Sequence, residues 1–393
     1  MSNWANIKIL RWARERLKMS YEDVEELSRK LGKFYTPIDA GELEKWEKGL
    51  SQPELEHLET LAEIYVCPVG YFFLDEVPRE QDALSFRGLS KNADELSPSS
   101  LRTLHLFLEK ARMIVHIIKE AGVEIKKEIR QGQYSAHDDP VEIARIERIR
   151  LGFSPNVRAE WNGYEDAFNW WRQRIESQGV FCLQMKLEPS EIRGASAWIE
   201  GYPFILINHS DAEAATGRLF TLLHEYAHIL ISNEGLVCDF RGVEKGKNPE
   251  PFANKFAANC LISKDEFRRK LIELGENKFK ENRSDRVLEE IKKALFVSKD
   301  VVAIMLQEMN LAPKDFYARK RAQWDKRKLW GRGGKRQKMP EKKFNEFGLM
   351  TTRLIAHKNL EEKIPIIELS YLLDMKVERV KEFISWARQK VPA

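Results

Sequence analysis

The stretch Gly217-Arg218-Leu219-Phe220-Thr221-Leu222-Leu223-His224-Glu225-Tyr226-Ala227-His228-Ile229-Leu230-Ile231 limits the fold more than any other in this 393-residue chain. It is an apolar helical run with two histidines and a glutamate set inside it. Residues four apart lie one above the other on a helix face, so His224 and His228 can converge on one metal ion at ~2.0–2.1 Å, beside Glu225. Glu225 could then take a proton from a metal-bound water, which points to zinc-assisted hydrolysis of a peptide bond.

Two histidines do not complete a zinc site, so a third ligand must come from outside this helix. Glu250 opens a second helical pattern, Glu250 to Ile262, in which Ala253, Phe256, Ala257 and Leu261 face a core and the small residues allow close helix approach. Glu250 is a candidate for the third ligand; Glu234, Asp239 and Glu244 in the intervening stretch are its rivals. Tyr226 lies one helical step off the ligand face and reads as a packing residue. Ahead of the metal helix, Tyr164 to Ser177 reads as an aromatic-rich helix. Val180–Met185, Ala195–Ile199 and Pro203–Asn208 read as strands of a small antiparallel sheet, with a turn at Glu200-Gly201. An extended peptide could add to one free edge, Ala195–Ile199 or Pro203–Asn208.

The segments "IRGASAWI", "YPFILIN", "GRLFTLLHEYAHILI" and "EPFANKFAANCLIS" resemble the ImmA/IrrE family of zinc metallopeptidases over about residues 160–310. That resemblance implies His224 and His228 as zinc ligands, Glu250 as the third, gluzincin-like ligand and Glu225 as general base. It also implies cleavage of a helix-turn-helix repressor or antitoxin, relieving transcriptional repression. Pro251, next to the implied ligand, departs from the family pattern, although proline fits an early helical position.

Residues 1–78 read as five short helices, with a capping-box-like start at Ser20, helix starts at Thr36-Pro37 and Gln52-Pro53, and Gly32 and Gly49 closing two of them. "RERLKMSYEDV", "ELEKWEKGLSQPELEHLETLAEIY" and "CPVGYFFL" resemble a Cro/repressor (XRE) helix-turn-helix domain, which implies DNA binding. The charges argue otherwise: residues 1–75 hold 10 Lys/Arg against 14 Asp/Glu, and the presumed recognition helix, Pro37 to Lys48, is acidic. Neutralising phosphates is the main source of DNA affinity, so a protein partner is the better expectation, met by residues such as Glu42, Lys45 and Glu47.

The polar stretch after Pro78 leads to a long amphipathic helix from Ser97-Pro98 with Leu104, Phe107, Leu108, Ala111, Ile114, Val115 and Ile118 in one stripe. Residues 317–343 hold 12 Lys/Arg against Asp325 and Glu341, with Trp324 and Trp330 interspersed. Basic residues interleaved with aromatics can hold DNA or single-stranded nucleic acid, here through Arg332, Lys335, Arg336 and Lys338; the bland reading is a solvated linker. Residues 344–393 read as a helical tail of a kind that packs or dimerises, which makes a homodimer one expectation.

The expected fold is therefore mainly α. An all-α helix-turn-helix domain (1–78) and a helical linker (79–150) precede a small α+β zincin-like metallopeptidase domain (151–316), followed by a basic linker (317–343) and a helical C-terminal region (344–393). The four cysteines form no C-x-x-C pair, no apolar run is long enough to span a membrane, and the N-terminus lacks a secretory layout, so a cytoplasmic protein is expected. The alternative function is a DNA-binding regulator or toxin-antitoxin component that uses the zinc fold as a sensing module.

Overall fold

A computed structural model of the chain describes residues 5–32, 35–77, 96–186, 192–209, 215–231, 236–240, 250–325, 338–357 and 360–391. Its contacts divide the chain into two compact units, Met1–Arg112 and Met113–Ala393. The boundary falls inside a helix.

The first unit is helical: α1 (Ile7–Glu15), α2 (Tyr21–Lys30), α3 (Ala40–Glu47), α4 (Leu55–Tyr65), a 3-10 turn at Val69–Phe73 and the first half of α5 (Pro98–Ala121). Ser20 and Asp23 form the expected capping box on α2. Thr36-Pro37 does not start a helix, because the Thr36 N–H donates to the Thr60 hydroxyl (3.1 Å) and the Ile38 N–H to Ser28 Oγ (2.9 Å), which holds the segment extended. α3 begins instead behind Asp39, whose carboxylate accepts from the N–H groups of Gly41 and Glu42. α4 likewise starts two residues past Pro53, behind Glu54.

The second unit contains the rest of α5, then α6 (Pro140–Arg150), α7 (Tyr164–Glu176), β1 (Phe181–Met185), β2 (Ile192–Ile199), β3 (Tyr202–Asn208), α8 (Ala215–Ile231), β4 (Leu236–Phe240), α9 (Glu250–Leu261), α10 (Lys264–Glu273), α11 (Asp285–Leu295), α12 (Lys299–Glu308), α13 (Phe316–Asp325), α14 (Met339–Ala356), α15 (Leu360–Lys363), α16 (Ile366–Leu373) and α17 (Val377–Lys390). The molecule is mainly helical with one small sheet, as its patterning predicts. None of the described helices is long and apolar enough to cross a membrane. Cys67, Cys182 and Cys260 are buried free thiols.

The sheet order is β1-β3-β2-β4, and the sheet is mixed rather than antiparallel. β2 and β3 form a hairpin through Glu200-Gly201, both at positive φ, but β3 folds in between β2 and β1 and so runs parallel to β1. Neither strand expected to offer a free edge does so: β3 is central, and β4 pairs antiparallel along the far side of β2. Among the described residues, the edges are β1 and β4.

β1 is flanked by α14, and the seam depends on a break in that helix. At Gly348 (φ 76°, ψ −179°) the helix loses its regular turn, which separates the Asn345 carbonyl from the Leu349 N–H that would otherwise bond to it. The unit's own side chains take both groups. Arg172 Nη1 (2.6 Å) and Gln184 Nε2 (2.7 Å) donate to the Asn345 carbonyl, and Leu349 N–H donates to Glu176 Oε2 (3.0 Å). A Cβ on residue 348 would meet Glu176 Oε1 at 1.9 Å, so only glycine fits. Gln184 Oε1 also accepts from Arg218 on α8 (3.1 Å), which ties this seam to that helix. The C-terminal region is thus built into the second unit.

Candidate metal centre

α8 is buried on every face: Leu219, Leu222, Leu223, Tyr226, Ala227 and Leu230 are packed in the core together with His224, Glu225 and His228. α9 lies against it through Ala253 and Ala257, both fully buried, and these small side chains let the two helices approach closely. On the other side, the Trp198 indole of β2 donates to the Ile229 carbonyl (3.1 Å).

Three donors meet between the helices. His224 Nε2 and His228 Nε2 are 3.1 Å apart, and the Glu250 carboxylate reaches both, Oε2 at 3.1 Å from His224 and Oε1 at 3.2 Å from His228. A tetrahedral metal with bonds of ~2.0–2.1 Å has ligand–ligand edges of about 3.3 Å, so the triangle has the size and donor chemistry of a zinc site. These residues can hold a metal ion. Burial opposes ionisation of Glu250, but hydrogen bonds and charge from His224 and His228 prevail and hold its carboxyl well below the usual range. Of the rival ligands, Glu234 and Glu244 lie outside the described residues, and Asp239 is placed only by its backbone, paired with Gly194.

Residues 175–307 match the family model of the IrrE N-terminal-like domain, peptidase family M78. The matched stretch is roughly a third of the chain and contains the whole donor triangle and Glu225. No curated protein and no solved structure gives a significant match. The IrrE-like segment supports a metallopeptidase-type function.

Tyr226 turns away from the triangle, as a packing residue should. Its hydroxyl donates to Glu147 Oε2 (2.8 Å) and accepts from Arg150 (2.7 Å), tying α8 to α6. Two neighbours of the site carried no assigned role in the sequence. Gly194 of β2 lies against Glu225: a Cβ there would come within 3.0 Å of Glu225 Cγ, 2.7 Å of Thr221 Cγ2 and 2.9 Å of the Leu206 carbonyl. A glycine inside a strand pattern is the signal for such an approach. Asn254, one turn beyond Glu250, sits 3.2 Å from His224 Nδ1 through its Oδ1.

The other candidate residues are spread widely. Glu47 is buried, not displayed: Arg14 Nε and Nη2 donate to its two oxygens at 2.8 Å each, so it holds the first unit together. Glu42 and Lys45 remain at the surface, paired with each other at 2.7 Å. Arg332, Lys335 and Arg336 lie outside the described residues, and Lys338 is exposed before α14. The start of the basic stretch is helical, with Lys320 paired to Asp285 and Arg321 to Asp300, while Trp324 is buried and not a stacking platform.

Proposed function

We propose that the chain is a zinc-dependent endopeptidase that cleaves a helix-turn-helix repressor or antitoxin and so relieves repression. The observation that carries this reading is the triangle of His224, His228 and Glu250 with Glu225 adjoining it on α8. A zinc ion held by His224, His228 and Glu250 would supply Lewis acidity, lowering the pKa of a water and polarising the scissile carbonyl. Glu225 takes a proton from the attacking water and passes it to the departing amine. Its burial keeps that transfer away from bulk solvent. The substrate strand approaches the sheet on the β2 side, where β4 is the outer strand and Gly194 pairs with Asp239 level with Glu225.

The first unit supplies partner recognition in this reading. Lys45 and Lys48 of its presumed recognition helix are each paired with a carboxylate of that helix, at 2.7 Å, and present no free cationic row to phosphates. Its acidic surface suits a basic protein partner. The alternative, a DNA-binding regulator with a sensing zinc module, has no use for a buried glutamate beside the donors. Incubating the full chain and its Glu225→Gln variant with candidate repressors separates the two: cleavage by the wild type alone supports the peptidase, and zinc binding without cleavage by either supports the sensor.

A further inference from the structure

The two nitrogens of the His224 ring meet different partners on the same helix. Nε2 faces His228 and Glu250 inside the triangle, and Nδ1, on the other side of the ring, lies 3.2 Å from Asn254 Oδ1. Glu250 and Asn254 are four residues apart on α9, so one helix face grips both ends of one imidazole. A neutral imidazole carries a single N–H, and only the nitrogen without it has a lone pair for a metal.

We propose that Asn254 is a positioning residue that accepts a hydrogen bond from Nδ1–H of His224 and thereby fixes the tautomer whose Nε2 lone pair points at a divalent metal ion. The inference rests on the reading of the triangle as a metal centre. With the amide reversed, its NH2 would donate to Nδ1 and drive the ring proton onto Nε2, into the space the metal needs.

The test is zinc affinity of the full chain, measured by competition with a chromophoric chelator, for wild type, Asn254→Ala and Asn254→Asp. Loss of such an outer partner costs on the order of 10–100-fold in metal affinity, which is the loss expected for Asn254→Ala. Aspartate can only accept, so Asn254→Asp should retain wild-type affinity. Unchanged thermal midpoints of the metal-free proteins will show that folding is not the cause. An alanine variant that binds zinc as tightly as wild type, or an aspartate variant that loses as much as alanine, overturns the proposal. A wild type that binds no zinc overturns the metal reading itself, and this proposal with it.

Discussion

At the scale of single residues, the site depends on what stands behind Glu225. β2 comes so close at Gly194 that any side chain there would strike Glu225 and Thr221 from one side and the Leu206 carbonyl from the other. The carbonyl belongs to the neighbouring strand and cannot yield, so the side chain of Glu225 must. Gly194→Ala should therefore keep zinc binding but lower turnover by about 100-fold, the cost of a base misplaced by roughly 1 Å. Steady-state cleavage alongside a zinc titration reads both quantities; unchanged turnover would show that Glu225 does not depend on this contact. That His224 and His228 share one face was legible because a spacing of four has one geometric meaning on a helix. Gly194 was written as plainly, but its role needs to know which helix lies over the strand. Glu47 misled for a similar reason: its charge suggests a surface, and only the partner Arg14, far away in sequence, explains why it is buried.

Among the elements, helices were read well and the sheet was not. Capping residues and apolar stripes are local, so α2, α5 and α7 appear close to where the sequence puts them. Strand order is not local, and β3 inserting between β1 and β2 leaves no mark in the strand sequences. The break in α14 was also hidden, since Phe347, Leu354 and Ile355 keep a helical pattern across Gly348. That break leaves a titration signature. Burial raises the Glu176 carboxyl to about 7, prevailing over Arg172 and the backbone donors of α14. Unfolded, the group ionises near its ordinary 4.5, so between 4.5 and 7 the folded chain holds the extra proton. Stability is then greatest below that window and falls as pH rises through it, by an amount on the order of 3 kcal/mol. Glu176→Gln keeps an acceptor for the Leu349 N–H and should flatten this part of the stability profile. Parallel slopes for wild type and variant, followed by chemical unfolding from pH 4.5 to 7.5, would refute the assignment.

For the whole molecule, the C-terminal helices belong with the IrrE-like segment even though the family match ends at residue 307. α14 supplies the backbone groups that Arg172, Glu176 and Gln184 bond, and removing it would leave these buried side chains without them. A chain ending at residue 337 is expected to aggregate or unfold without cooperativity, as seen by size exclusion and thermal melting. A monodisperse product with the wild-type midpoint would mean that the tail is dispensable. We propose the triangle of His224, His228 and Glu250 as a zinc peptidase site with Glu225 as its base, and the Glu225→Gln variant tests this most directly. The variant should bind one zinc ion as the wild type does and leave a repressor that the wild type cuts intact. Cleavage by the variant at the wild-type rate would contradict the account.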